Sequence, residues 1–414
     1  MTLQNSGTSI SFSQIENEFG QNSGRDMGEY RVSQTVGRMS NLPLDSGIPQ
    51  SGQIKFSDFY GKELNVVIHY SSNALRPSDG YTKFAGNSGK VIIGGFKSPS
   101  SVSESGGKRV TLHVGTTSGG ITIGNFRGDT TDENPRHRCA LRTGTGWQSN
   151  TELDIVIGSG SIVSGGGGNG GRASESPGTE DSNPGDPGKN GNSAIGVQYP
   201  VENLIVQSGA VIRAGCGGGG GGGSGKEDSE TEFRRASGGG GGGGAGVPAG
   251  LGGESDKHEE NTEHTNAGEN GSGGTLLDGG KGGNGAEQGG EAFGGGGGGG
   301  GSFEVVLQNG EAGEGGLAGF ITEEGRIVTG ENTPAQPGQD GTDQGGGGSG
   351  GRGGKEEGNG EFSSGGAGGV RGFAIVRYNN VSVDVNYIQV QGTALGLHGE
   401  TNPRDKTINP SVSL

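Results

Sequence analysis

The segment His258-Glu259-Glu260-Asn261-Thr262-Glu263-His264 brings two imidazoles and three carboxylates within seven residues, the ligand types of a metal site. A zinc peptidase needs His-Glu-x-x-His, with both imidazoles on one helix face. Thr262 stands where the second His would have to be, so the segment reads as a solvated acidic loop. Seven Gly-Lys pairs occur, among them Gly89-Lys90, Gly188-Lys189 and Gly225-Lys226. None is followed by Ser or Thr, so no phosphate-binding P-loop forms. Cys139 and Cys216 are too few for a zinc site and too far apart for a redox pair. Carboxylate pairs are frequent, but none sits in an apolar frame that would shift its pKa towards acid–base work. Arg127-Gly128-Asp129 matches a cell-adhesion tripeptide and is expected by chance. Phe233-Arg234-Arg235 is different, because an aromatic beside two guanidinium groups is the chemistry of binding hot spots. The expectation is a protein that binds without catalysing, with no cofactor and no metal.

The elements that would hold such a surface are unusual. Of 414 residues, 102 are glycine and only 26% are hydrophobic, with a formal net charge of -16. Average proteins hold about 7% glycine. Few apolar residues with high net charge ordinarily mean disorder, because too little surface can be buried to offset chain entropy. The acidic balance excludes a nucleic-acid partner, whose backbone calls for a basic patch. Met1–Phe12 lacks a basic start and an apolar core, so no signal peptide is expected. No apolar run reaches the roughly 18 residues of a membrane span, so no membrane insertion is expected.

Four regions follow along the chain. Residues 1–62 contain an echo, in which Ser-Gly precedes Ile10-Ser11-Phe12-Ser13 and, later, Ile54-Lys55-Phe56-Ser57. With Gln14-Ile15 and Asp58-Phe59-Tyr60-Gly61-Lys62, this unit resembles the small N-terminal modules of structural proteins from cyanophages and other marine tailed phages. The resemblance implies a virion-attachment module. Residues 63–150 read as a β domain from Leu64–Tyr70, Lys90–Ile93, Arg109–Val114 and Gly120–Ile123, and a small sandwich is expected. Residues 151–372 hold most of the glycine. Residues 373–414 return to β character through Phe373–Tyr378 and Val381–Val385, followed by a tail.

Within 151–372, strand-like segments lead into glycine runs. Val156–Val163 turns at Ser159-Gly160 and enters Gly165–Gly168. Ile205–Ile212 turns at Ser208-Gly209 and enters Gly215–Gly223, interrupted by Cys216. Val305–Gly310 is a weaker copy. Further runs are Gly238–Gly244, Gly294–Gly301 and Gly345–Gly348, separated by polar segments. Linkers dilute glycine with serine, and these runs do not. Ordered polyglycine has one good route, the left-handed three-residue helix rising about 3.1 Å per residue, whose N–H and C=O groups must pair with neighbours. Several such helices side by side would form a slab, and its loss of backbone entropy demands a cooperative lattice. This alternation of pure glycine runs and polar loops resembles the receptor-recognition domain of the distal tail-fibre adhesins of T-even-like phages. The resemblance implies a mainly β fold with a polyglycine II helix sandwich, and loops that contact a receptor.

The function expected is therefore a phage tail-fibre or tail-tip adhesin, located in the virion and made in the host cytoplasm. Residues 1–62 would bind other tail, fibre or baseplate proteins, and the loops a host outer-membrane protein or surface glycan. The alternative is a structural virion protein, a fibre connector or baseplate decoration. Because glycine has no side chain to discriminate with, specificity falls to the joining segments. The first candidates are Lys226, Glu232, Phe233, Arg234 and Arg235, and the second are His258 and His264.

Overall fold

Short runs of Val, Ile, Leu and Thr closed by glycine form strands here, but their partners lie far away in sequence. The computed structural model describes residues 7–19, 27, 52–61, 65–70, 82–83, 90–92, 109–115, 119–124, 127–129, 139–143, 147, 149, 151–174, 184–197, 199–228, 233–255, 265–288, 292–302, 304–305, 308–309, 314–315, 336–341, 346–352, 354–355, 361–378, 388–390, 393–395 and 409–412. The fold is mainly β.

One sheet runs Lys90–Ile92, Asn65–Tyr70, Arg109–Val114, Glu152–Ile157, Asn203–Val206, Ile388–Val390. Only its first pair is antiparallel. A second sheet, all parallel, runs Thr122–Ile123, Ile162–Ser164, Val211–Arg213, Thr393–Leu395. A third, also parallel, runs Thr82–Lys83, Cys139–Arg142, Ser193–Val197, Ile375–Tyr378, Asn409–Val412. The chain visits the three in rotation, so Arg109–Val114, Thr122–Ile123 and Cys139–Arg142 make one turn of a coil. Glu152–Ile157, Ile162–Ser164 and Ser193–Val197 make the next.

The small sandwich expected for residues 63–150 is thus corrected to part of a parallel coil, and strand pairing crosses residue 150, with Val110 opposite Leu153. The physical reason is burial. Val110, Leu112, Val114, Leu153, Ile155 and Ile157 fill one apolar cluster with Ile123, Val163, Ile195, Leu204, Ile212 and Ile375, which come from all three sheets. Each such side chain contributes about 1.5–3 kcal/mol when removed from water. The arches between the first and second sheets turn at Gly160 and Gly209, with φ of 71° and 73°. That left-handed conformation is costly for any residue with a Cβ. Ser159 N donates to the Gln207 side chain at 3.1 Å and ties one arch to the next.

The N-terminal module is held by local caps. In helix Phe12–Phe19, Ser11 N donates to Gln14 Oε1 at 2.8 Å and Gln14 N to Ser11 Oγ at 3.2 Å, a reciprocal capping box. The two echoes meet where the Tyr60 hydroxyl donates to the Thr8 carbonyl at 2.7 Å. Ile10, Ile15 and Phe59 belong to the same apolar cluster as the sheets.

Where the coil passes from its second sheet to its third, the chain leaves it and builds the glycine region. Segment 165–174 continues strand Ile162–Ser164, and segment 185–192 leads into Ser193–Val197. The whole of 215–372 is a second excursion, between Val211–Arg213 and Ile375–Tyr378. Its glycine runs are rods whose backbone bonds go to other rods in steps of three residues. Gly165, Gly168 and Gly171 N donate to Arg213, Cys216 and Gly219 O at 2.8–3.0 Å.

Rod 215–224 is the clearest case. Its residues donate to rods 185–192, 238–245 and 346–351, and accept from rods 165–174, 294–301 and 363–372. Six bonded neighbours define hexagonal packing, and each residue of the three-residue repeat donates to one rod and accepts from another. The runs 217–223, 238–244 and 294–301 lie side by side, through Gly219 N to Gly242 O, Gly239 N to Gly295 O and Gly298 N to Gly220 O. The bonding sorts the rods into layers. The first holds 185–192 and 363–372, the second 248–254, 165–174, 215–224 and 346–351. The third holds 268–275, 238–246, 294–301 and 336–341, and the fourth 280–286 with 314–315 beside it. From the first layer to 280–286, rods within a layer run parallel and successive layers antiparallel.

Candidate functional site

Direction decides where the joining segments go. Second-layer rods and 280–286 run away from the three sheets, and first- and third-layer rods run back towards them. Rods flanking the segments 175–184, 225–237, 255–267, 287–293 and 352–362 therefore have their ends on the side of the slab far from the sheets, and rod 336–341 begins on that side. The near end carries short turns, at 246–249 and 275–279, and the antiparallel pair Glu304–Val305 with Gln308–Asn309. The weak arch copy expected there is this hairpin.

The far end bears two small sheets. One runs Thr265–Asn266, Phe233–Ala236, Gly225–Asp228, Glu361–Phe362. The other runs Glu287–Gln288, Ala292–Phe293, Gly354–Lys355. Register sets Lys226 opposite Arg235, Glu227 opposite Arg234 and Asp228 opposite Phe233. On its other side Lys226 faces Glu361, and Arg235 faces Thr265. The far end thus brings together Lys226, Phe233, Arg234 and Arg235 from the sequence candidates. Glu232, His258 and His264 lie outside the described residues.

Sequence reasoning missed the partners from later in the chain. The Arg352 guanidinium carbon lies 5.3 Å from the centre of the Phe362 ring, within cation–π range. Phe293 and Phe362 offered a signal, since each ends a polar segment just before a glycine-rich rod. The five segments that leave and re-enter the slab at this end carry 16 acidic against 6 basic residues, -10 of the net charge of -16.

Two other candidates resolve into packing. Arg127 Nε donates to the Ala249 carbonyl at 2.8 Å. Gly128 N donates to Gly167 O at 2.8 Å and Gly128 O accepts from Asn169 N at 2.9 Å. A Cβ on Gly128 would fall 1.7 Å from the Asn190 carbonyl oxygen, so the tripeptide is spliced into the slab. Cys216 is buried in rod 215–224 beside Ala214 and Ala245. Burial pushes its thiol up to about 12, although Arg213 and Arg371 pull the other way. Burial lowers Arg213 to about 10. A thiol held protonated is no nucleophile.

Residues 100–294 match the family model described as phage tail fibre adhesin Gp38. The match runs from the coil, through its first excursion, into rod 294–301, and includes the far-end segments up to Phe293. It supports a tail-fibre adhesin, located in the virion tail. No curated protein and no solved structure matches the chain.

Proposed function

We propose that this chain is a non-enzymatic receptor-binding adhesin at the tip of a bacteriophage tail fibre, and that its far end grips the host surface. The observation that carries the reading is that the long polar segments leave and re-enter the slab at one end, while its other end joins the three sheets. A scaffold protein would have no cause to send them all one way. The slab is a stack of polyglycine II helices. Supporting this are the three-residue step of the bonds, the six neighbours of rod 215–224 and the burial phase of rod 363–372. In that rod Ser363, Gly366, Gly369 and Gly372 are buried, while Ser364, Ala367 and Val370 are exposed. Only a three-residue helix presents the same face every third residue.

The receptor is a host outer-membrane protein or surface glycan. Lys226, Phe233, Arg234 and Arg235 are the first contacts, with Arg352, Lys355 and Phe362 beside them. Residues 1–62 attach the chain to other tail proteins. Loops on a rigid scaffold are where binding residues concentrate. The test replaces 226–235 and 256–264 with Gly-Ser segments of equal length. Melting should stay within a few degrees of the parent, because the described lattice bonds among the rods do not use these residues. Adsorption of phage to its host should be lost. Wild-type adsorption with both segments replaced would overturn the reading.

A further inference from the structure

Three serine hydroxyls meet at the far end of the slab, where a glycine lattice would be expected to stop without order. Ser174, Ser224 and Ser363 are 1%, 0% and 2% exposed. Their Oγ atoms form a triangle, with Ser174 to Ser224 at 3.0 Å, Ser224 to Ser363 at 3.2 Å and Ser363 to Ser174 at 3.0 Å. The residues are 50, 139 and 189 positions apart in the chain. Each stands at a border. Ser174 ends rod 165–174, with its N–H on Gly222 O at 2.9 Å. Ser224 immediately precedes strand Gly225–Asp228, and Ser363 immediately follows strand Glu361–Phe362. Ser224 N also donates to Ser363 Oγ at 2.7 Å, and Ser363 N to Ser224 O at 2.9 Å.

We infer that this triangle is a positioning lock, which fixes the two strands Gly225–Asp228 and Glu361–Phe362 on the slab and so sets the register of the far-end sheet. The need for it is physical. Inside the slab each backbone group finds a partner on a neighbouring rod. Past the border, among the described residues, rods 215–224 and 363–372 stay together only through the two-residue ladder of Gly225 with Phe362 and Lys226 with Glu361, too short a backbone pairing to fix register alone. A hydroxyl donates and accepts at once, so three of them close a ring that no glycine or alanine could make. Burial keeps water from substituting for any member. The pairings Gly225 with Phe362 and Lys226 with Glu361 begin one residue beyond the lock. Lys226 and Arg235 then follow by register. These serines touch no receptor; they act through the strands they hold.

The consequence for adhesion rests on the receptor reading above, whereas the lock itself does not, so the two are tested separately. Hydrogen exchange is measured on the full-length protein carrying Ser174→Ala, Ser363→Ala or Ser363→Cys. In both alanine variants the amides of 225–228, 233–236 and 361–362 should exchange roughly tenfold faster, as for loss of a net hydrogen bond. Amides of 218–221 and 239–243 should keep their protection. Ser363→Cys, which retains a weak donor and acceptor of similar shape, should restore most of the effect. Unchanged exchange at the far end, acceleration by the same factor throughout the slab, or no recovery with Cys would each overturn the lock. Should exchange respond as stated while the same variants adsorb to host cells at the parent rate, the lock would stand and the receptor reading would fall.

Discussion

A methyl group at Gly220 is the sharpest probe of the lattice. An ideal Cβ there would lie 2.0 Å from the Gly366 carbonyl oxygen, 2.5 Å from its carbon and 2.8 Å from Ala367 O. All three are backbone atoms, so no side chain can swing aside. Restoring ordinary contact would push rods 215–224 and 363–372 apart by more than an ångström. The bonds at risk are Gly366 N to Gly221 O at 2.8 Å, Gly369 N to Gly218 O at 2.7 Å and Gly220 N to Gly348 O at 2.9 Å. Leaving a buried group unpaired costs about 1–3 kcal/mol, and overpacking about as much again. Gly220→Ala should therefore lose roughly 2–6 kcal/mol, against a total near 5–15 kcal/mol for a typical protein. The matched control is Gly273→Ala, where the nearest atom to the new Cβ, Gly250 O, is 3.3 Å away. The same change in residue type there should fall within about 1 kcal/mol of neutral, because the stiffer unfolded chain offsets the tight contact. Guanidinium unfolding of both variants, followed by circular dichroism, decides the matter. Similar midpoints for the two would refute the close-packed backbone lattice.

Other consequences can be checked with the same protein. Cys216 has its folded pKa raised from 9.0 to about 12, so its contribution to stability is full below pH 9 and is lost as pH rises towards 12. Arg213 runs the other way, being lowered by burial to about 10, so what it contributes is present at higher pH and lost as pH falls through 10. Between pH 9 and 10 the thiol's effect should therefore show as a loss approaching about 1.4 kcal/mol per pH unit, which Cys216→Ala abolishes; equal slopes for the two proteins would contradict the burial argument. Asn190→Ala removes the Oδ1 that accepts from Val370 N at 2.8 Å and should cost about 1–2 kcal/mol in the unfolding midpoint. Phe56 in the N-terminal module is 43% exposed, so Phe56→Ala should leave melting unchanged yet reduce the amount of protein in purified particles if that module docks to the tail. With -10 of charge in the far-end segments, adsorption to an anionic cell surface should quicken as ionic strength rises from 0.01 to 0.1 M, where the screening length falls from about 30 to about 10 Å.

Much of the slab was legible because its signal is local. Pure runs such as Gly294–Gly301 permit few ordered states, and the turns at Ser159-Gly160 and Ser208-Gly209 announced themselves by residue type. The parallel coil was not legible. Short strands such as Arg109–Val114 look alike whether their partners run parallel or antiparallel, and those partners lie outside any local window: Leu112 pairs with Ile155, and Ile195 with Ile375. What settles the choice is that the excursions return to the same apolar cluster, a fact of three dimensions. At the far end, Lys226, Phe233, Arg234 and Arg235 were found because they sit close together in one segment. Phe362 and Lys355 were missed because strand pairing sets them opposite the distant Gly225 and Ala292, and Arg352 because it reaches the site by packing on Phe362. The serine triangle carries no sequence signal beyond a serine at the border of a rod.

The slab also explains how one fold could carry different recognition surfaces. In an ordinary domain, loops end on elements whose side chains interlock, so a new loop sequence can disturb the core. Here the rods cohere through backbone groups that every residue type shares, and the three-residue phase separates tolerance from intolerance. Ala367 and Val370 stand at exposed phases of rod 363–372, whereas Gly366 and Gly369, one residue before each, cannot accept a Cβ. Lattice stability is therefore set by the buried glycines and by caps such as Asn190 and Ser363. Under the proposed function, that division would put recognition in the joining segments and folding in the buried glycines of the rods.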